Sequence, residues 1–228
     1  MEDNYLNIFN NFDLYSLIYW VPAIILALTM HEYAHARMAY AFGDPTAKDA
    51  GRLTLNPLAH LDPIGTLMLV FAHFGWAKPV PINPYYFQGD RGQKIMLVSV
   101  AGPLSNILQA LVGSVLLSLL VHFTISGQSK LWQLLFSFLF SYININIVLA
   151  VFNLLPVPPL DGSKILASLL PERHMNIVFA LERYGFIILI ALMFLGVLSL
   201  IITPIVTVLF SGLLHLVGLG ELARLFFG

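Results

Sequence analysis

Long uncharged stretches alternate with short charged ones along the 228-residue chain. Residues 95–129, 131–160 and 184–220 contain no Asp, Glu, Lys or Arg, and each is longer than the roughly 20 residues that a transmembrane helix needs. A further apolar segment, residues 14–42, ends at Gly43-Asp44-Pro45, a typical helix-ending sequence. The pattern predicts an all-α polytopic membrane protein with spans at 14–42, 95–123 and 131–154 and one or two more in 184–220.

The region 63–94 has a different pattern. Only 15 residues separate Asp62 from Lys78, and prolines follow at 79, 81 and 84. Fifteen residues are too few for a span, and proline restricts β-structure to edge positions. We expect a re-entrant or β-hairpin-like interfacial element here, between the first and second core helices, with short edge strands around 76–82. The chain then has roughly five to six membrane segments in a single membrane-embedded domain, residues 1–228.

The last uncharged stretch has 37 residues. As one helix it would be about 55 Å long, well beyond the roughly 30 Å of the bilayer core. Proline removes a helical hydrogen bond and clashes with the preceding turn. We therefore expect this stretch to kink or break at Pro204.

Composition supports the membrane assignment. Charged residues make up 10% of the chain and the mean hydropathy is +0.83, whereas a soluble domain has roughly 25% charged residues. The net charge of −1 argues against nucleic-acid binding. Because there is no Cys, disulfides, thiolate metal sites and Cys nucleophiles are excluded.

Three ionisable residues lie inside the first predicted span, in the sequence His31-Glu32-Tyr-Ala-His35. An ionisable residue at the bilayer centre costs roughly 2.5–3.5 kcal/mol and therefore indicates a functional site. On a helix, His31 and His35 project from the same face one turn apart, which suits two imidazoles that bind one zinc ion. Glu32, beside them, has the position of a general base.

A catalytic zinc site usually has three protein ligands, so a third is expected among the remaining carboxylates or histidines (60, 73, 122, 174 and 215). Asp161 is favoured because it directly follows a helix-breaking run with prolines at 156, 158 and 159. The alternative is that Asp161 caps a helix beginning at Ser163, and both roles can hold together. His60 is expected to form an interfacial hydrogen bond with Asp62 or to orient a ligand, and His73 to pack.

Several motifs occur together in chain order. They are His-Glu-Tyr-Ala-His at 31–35, Gly-Arg-Leu-Thr-Leu-Asn-Pro at 51–57, Gly-Trp-Ala-Lys-Pro-Val at 75–80, Ala-Gly-Pro-Leu-Ser-Asn at 101–106, and Asn-Leu-Leu-Pro-Val-Pro-Pro-Leu-Asp-Gly at 153–162. This set resembles the site-2 proteases, which are intramembrane zinc metalloproteases, in their compact branch without PDZ or CBS domains. The resemblance implies that His31, His35 and Asp161 bind one Zn²⁺, that Glu32 is the general base, and that Asn153 binds the substrate.

The implied function is regulated intramembrane proteolysis. The enzyme would hydrolyse a peptide bond in or near the transmembrane segment of a single-pass substrate protein, within the lipid bilayer and without a nucleic-acid partner. The alternatives are a divalent-metal transporter and an inactive protease-fold scaffold. A transport path is expected to have ligands at successive depths, whereas here they converge on one point, and the intact Glu32 argues against a scaffold.

The positive charges suggest an orientation. If His31, His35 and Asp161 share one ion, segments 14–42 and 131–154 run in the same direction, with 95–123 as the single crossing between them. Eight Lys and Arg residues, at 48, 52, 78, 91, 94, 164, 173 and 183, then lie on one side, and Lys130 alone lies on the other. The positive-inside rule predicts a zinc site toward the cytoplasm, and the resemblance implies a prokaryotic plasma membrane.

Overall fold

A computed structural model describes residues 16–72, 75–123, 129–171 and 175–227. Within these ranges the chain forms α-helices joined by short loops and two 3₁₀ turns. The helices are α1 (Leu17–Ala41), α2 (Thr46–Asp49), α3 (Pro63–Ala72), α4 (Arg91–Phe123), α5 (Lys130–Asn153), α6 (Asp161–Leu169), α7 (Met175–Phe194), α8 (Val197–Leu216) and α9 (Gly220–Phe227). The prediction of a mostly helical protein is confirmed.

Four of the described helices, α1, α4, α5 and α8, are long and apolar enough to cross a membrane. The predicted helices at 14–42, 95–123 and 131–154 correspond to α1, α4 and α5. Of the kink or break expected at Pro204, the break is wrong: Pro204 lies inside α8, and the chain is interrupted instead between α7 and α8, at Gly196, whose φ is +71°. Glycine adopts this left-handed conformation without strain, whereas a helix in a membrane protein accommodates an internal proline through its neighbours.

Helices α1, α4 and α5 form the centre of the fold, and their hydrogen bonds fix their directions. His35 of α1 contacts Val98 of α4, and His31 contacts Asn106, eight residues further along. The earlier residue of α1, His31, thus contacts the later residue of α4, Asn106, and the later residue, His35, contacts the earlier one, Val98. Helices α1 and α4 are therefore antiparallel. The same reasoning applied to Asn106–Asn146 and Gln109–Tyr142 makes α4 and α5 antiparallel. Helices α1 and α5 consequently run in the same direction.

Two of the apolar clusters show how these helices are held together. One lies between α1 and α5, around Trp20, Ile24 and Tyr142. The other joins α4 and α5 to α8 and α9, with the fully buried side chains of Leu117, Ile143, Ile147, Phe210 and Leu214. Burying a large apolar side chain contributes roughly 1.5–3 kcal/mol, so these contacts fix the helices that carry the polar site.

Helix α3 has ten residues and is about 15 Å long, short of the bilayer core. By Trp76 the chain lies beside α3 again. A Cβ on Gly65 would lie 2.2 Å from the carbonyl oxygen of Trp76, and Leu61 forms an antiparallel bridge with Ala77. Within the described ranges this bridge is isolated and no strand forms, so the edge strands expected around 76–82 are wrong: the structure has one bridge followed by chain without regular secondary structure.

Candidate metal centre

Three buried side chains from distant parts of the sequence converge on one point. The Nε2 atoms of His31 and His35 are 3.0 Å apart. Oδ2 of Asp161 lies 3.3 Å from Nε2 of His31 and 3.1 Å from Nε2 of His35. Each of the three residues is about 5–6% exposed. The structure thus brings together the three residues that the sequence analysis singled out as metal ligands.

A chain of hydrogen bonds through α4 and α5 sets the tautomer of His31. The Asn146 side-chain N–H donates to the backbone carbonyl of Tyr142, at 2.9 Å. The Asn146 side-chain oxygen therefore faces Asn106, whose own N–H donates to it at 2.8 Å. This leaves the Asn106 side-chain oxygen to accept from Nδ1 of His31, at 2.6 Å. Because Nδ1 carries the proton, Nε2 of the neutral ring has a free lone pair.

His35 is oriented by the α4 backbone. Its Nδ1 lies 2.7 Å from the carbonyl oxygen of Val98, and a carbonyl can only accept. Nε2 of His35 therefore also presents a lone pair. Gly102 of α4 permits the close approach, since a Cβ there would lie 2.3 Å from Nε2 of His35 and 2.6 Å from Cε1 of His31.

Asp161 is the first residue of α6, and the helix cap is Leu160, without a side-chain hydrogen bond. The alternative role as a cap of a helix beginning at Ser163 is therefore wrong. The carboxylate faces the imidazoles instead, and its second oxygen lies 3.5 Å from Nζ of Lys164.

The donor set fits a zinc ion. Two imidazole lone pairs and a carboxylate oxygen face one another, and this arrangement is repulsive unless positive charge lies between them. A tetrahedral ion with bonds of about 2.0–2.1 Å separates its ligand atoms by about 3.3–3.4 Å, close to the observed 3.0, 3.1 and 3.3 Å. Small adjustments would allow all three atoms to bind one ion.

A cavity of about 350 Å³ opens beside this cluster, and both Glu32 and Asn153 line it. Oε2 of Glu32 accepts a hydrogen bond from the backbone N–H of Val80, at 2.9 Å. Asn153 is the last residue of α5, and its side chain donates to the carbonyl of Leu149 at 3.0 Å. A carboxylate and an amide therefore border the space next to the candidate metal ligands.

The remaining histidines lie apart from the cluster or outside the described residues. His60 is buried, but its Nε2 donates to the carbonyl of Thr54 at 2.8 Å. It therefore orients a loop, and the expected hydrogen bond with Asp62 or with a zinc ligand does not form. His122 and His215 are exposed. His73 and His174 lie outside the described residues.

Asn106, Asn146 and Gly102 in apolar spans favour cross-helix hydrogen bonding and close helix approach, and the structure shows both, but the part of the Val98 carbonyl was not foreseen. Polar residues inside apolar spans were the available signal for Asn146, as for Asn106. A backbone carbonyl leaves no such signal. Lys164, which also lines the cavity, was indistinguishable in sequence from an ordinary surface lysine.

Comparison with known proteins identifies relatives. The profile of peptidase family M50 matches residues 120–196. YwhC of Bacillus subtilis, described as a candidate zinc metalloprotease, is 44% identical over 186 residues, covering 82% of this chain and 84% of YwhC. MJ0611 of Methanocaldococcus jannaschii, described in the same way, is 32% identical over 158 residues, covering 68% and 73%.

A third relative, Rip2 of Mycolicibacterium smegmatis, is also described as a candidate zinc metalloprotease and is 29% identical over 172 residues, covering 74% of this chain and 64% of Rip2. No solved structure matches the chain. The extent and identity of the YwhC match, together with the family profile, show that the chain belongs to peptidase family M50, the site-2 proteases, and is a zinc metalloprotease.

Proposed function

We propose that this protein is an intramembrane endopeptidase that hydrolyses a peptide bond in or near a transmembrane segment of a substrate protein. The observation that carries the proposal is the buried cluster of His31, His35 and Asp161. It lies where α1 meets α4 and α6, and α1 and α4 are both apolar enough to cross a membrane. A hydrolytic site on such helices is within reach of bonds that soluble proteases cannot approach.

His31, His35 and Asp161 would hold the ion, and Glu32 would act as the general base. Zinc, when bound there, supplies Lewis acidity toward the scissile carbonyl and its attacking water. Glu32 takes the proton of that water and passes it to the leaving amine. Asn153, at the cavity edge, is assigned the role of holding the substrate backbone through its side-chain amide.

The substrate must be locally unwound, because helical amides are already hydrogen-bonded and screened. Two elements beside the cavity suit an extended chain: the stretch 76–82 and the proline-rich loop at 154–160 that precedes Asp161. We assign a single-pass membrane protein as the substrate class, since one helix can unwind without disrupting a larger bundle.

The membrane arrangement follows from the same site. Because α1 and α5 run in the same direction with α4 between them, region 63–94 would enter and leave on one side as a re-entrant or interfacial element. The total would be five or six membrane segments, depending on how α7 and α8 cross. The charge asymmetry then orients the zinc site toward the cytoplasm of a prokaryotic plasma membrane.

Divalent-metal transport, the rival function, gains no support. Among the described residues, this cluster is the only group of three or more His, Asp or Glu side chains that can hold a metal ion. A permeation path needs sites at successive depths. Membership of a peptidase family favours hydrolysis as well.

The test is Glu32→Gln in the purified full-length protein. The amide still accepts the Val80 N–H but takes up no proton. We expect unchanged zinc content and loss of cleavage of a model single-pass substrate in proteoliposomes. Glu221→Gln, at a side chain that is 89% exposed, is the matched control and should cleave normally. Near-normal cleavage by Glu32→Gln would remove Glu32 from the mechanism.

A further inference from the structure

A segment without regular secondary structure, residues 78–83, lies beside the cavity and is held at three places. Arg52 donates through Nη2 to the carbonyls of Lys78 and Pro79. Glu32 accepts the N–H of Val80 at 2.9 Å. Asp44 accepts the N–H of Asn83 at 2.7 Å. The segment is therefore fastened to the same part of the molecule that carries the proposed general base.

Arg52 is an unusual residue in this setting. It is only 6% exposed, and a buried guanidinium is normally paired with a carboxylate. Among the ion pairs of the described residues, none involves Arg52. Its charge is directed at backbone carbonyls instead, and such bonds are stronger than those between neutral groups. These charge-assisted hydrogen bonds thus fix a particular piece of backbone.

The fixed piece includes the peptide unit between Pro79 and Val80. Nη2 of Arg52 lies 3.4 Å from its carbonyl oxygen, and Oε2 of Glu32 lies 2.9 Å from its N–H. Because a peptide unit is planar and rigid, its C=O and N–H move together. Holding the carbonyl at one edge therefore sets the direction of the N–H at the other edge, where it meets the carboxylate.

We propose that Arg52 is a positioning residue that orients the Glu32 carboxylate through the 79–80 peptide unit. The Val80 N–H holds one oxygen of Glu32, so that the other is available for the proton transfer. Efficient transfer needs the base within about 2.6–3.2 Å of its partner. A carboxylate free to rotate would spend much of its time out of this range. The inference rests on the proposed role of Glu32 as general base.

The first experiment measures kcat and KM separately for Arg52→Gln and Arg52→Lys, with the holoenzyme and a model single-pass substrate in proteoliposomes. General acid–base catalysis contributes about 10²- to 10⁴-fold, so misorientation of the base should lower kcat by about 10- to 100-fold. KM should stay within about twofold and zinc content should be unchanged. Arg52→Lys, which keeps the charge, should recover part of kcat. Arg37→Gln, at an exposed arginine on α1, is the control and should match the wild type.

The second experiment reaches the same peptide unit from its other edge. Val80→Pro removes the N–H that Glu32 accepts and leaves Arg52 unchanged. It should reproduce the kcat loss of Arg52→Gln. The double variant should be no slower than either single variant, because both remove the same interaction.

Three outcomes would overturn the inference. In the first, Arg52→Gln keeps wild-type kcat, or raises KM alone, which would mean that Arg52 only shapes the substrate-docking stretch and does not orient Glu32. In the second, the two losses multiply in the double variant, so that Arg52 acts independently of Val80. In the third, Val80→Pro keeps wild-type kcat, a result that decides the matter even if Arg52→Gln does not fold. Activity of Glu32→Gln would instead refute the proposed function itself, so the two failures are distinguishable.

Discussion

Gly102→Ala tests the geometry of the metal centre most directly. A Cβ at this position would lie 2.3 Å from Nε2 of His35, so the imidazole must retreat by about 1.1 Å to reach the 3.4 Å of an ordinary contact. Metal sites tolerate changes of about 0.2 Å in ligand distance. Overpacking of this kind costs about 1–3 kcal/mol, more than the roughly 0.5–1 kcal/mol that alanine gains over glycine in a helix.

The assay is zinc affinity of the purified variant, measured by competition with a chelator and by metal content after dialysis. We expect a loss of at least about a hundredfold, equivalent to about 2.8 kcal/mol, with proteolysis lost in parallel. Gly92→Ala on the same helix is the matched control, since its Cβ would have its nearest contact at 3.4 Å. Wild-type zinc affinity in Gly102→Ala would mean that α4 does not lie against the imidazoles and would refute the described geometry.

Three further outcomes are expected. Asp161→Ala should lose both zinc and activity, because two imidazoles alone leave the cation undercoordinated; tight stoichiometric zinc in this variant would exclude Asp161 as a ligand. Asn106→Leu should weaken zinc binding by about 10- to 100-fold, because it removes the acceptor of His31 Nδ1–H, and an unchanged affinity would contradict this role. Single Cys residues at Gln88 and Pro171 should be labelled by an impermeant maleimide from the cytoplasmic side, and one at Lys130 only from the other side. Labelling of Gln88 from the Lys130 side would make region 63–94 a full crossing.

The sequence was sufficient for the parts of the fold that depend on local pattern. Uncharged length predicted α1, α4 and α5 because the bilayer imposes a minimum span. The cost of ionisable groups in apolar helices pointed to His31 and His35. The position of the break at Gly196 was harder to predict, because glycine and proline both interrupt helices and only the tertiary environment decides which one does so.

The surroundings of the site depended on contacts that the sequence does not express. Gly102 is next to the histidines because α4 packs against α1, and no local feature of its motif states that distance. The direction of the Asn106 amide depends on Asn146 and on a backbone carbonyl one turn before it. His60 seemed able to reach Asp62, yet its ring bonds the Thr54 carbonyl, because a buried donor takes whichever acceptor the loop provides.

The prolines of segment 78–83 have a consequence for recognition. Pro79 and Pro81 have no N–H, and the amide hydrogens of Lys78, Val80 and Asn83 bond His60, Glu32 and Asp44 within the protein. Within the segment, Ile82 is then the one residue whose backbone N–H is available to a bound peptide. An incoming peptide must therefore supply its own amide hydrogens to the carbonyls there. A substrate segment with several prolines would have few N–H donors and would bind weakly here. Two copies of the segment 78–83 would likewise have too few donors to pair edge to edge.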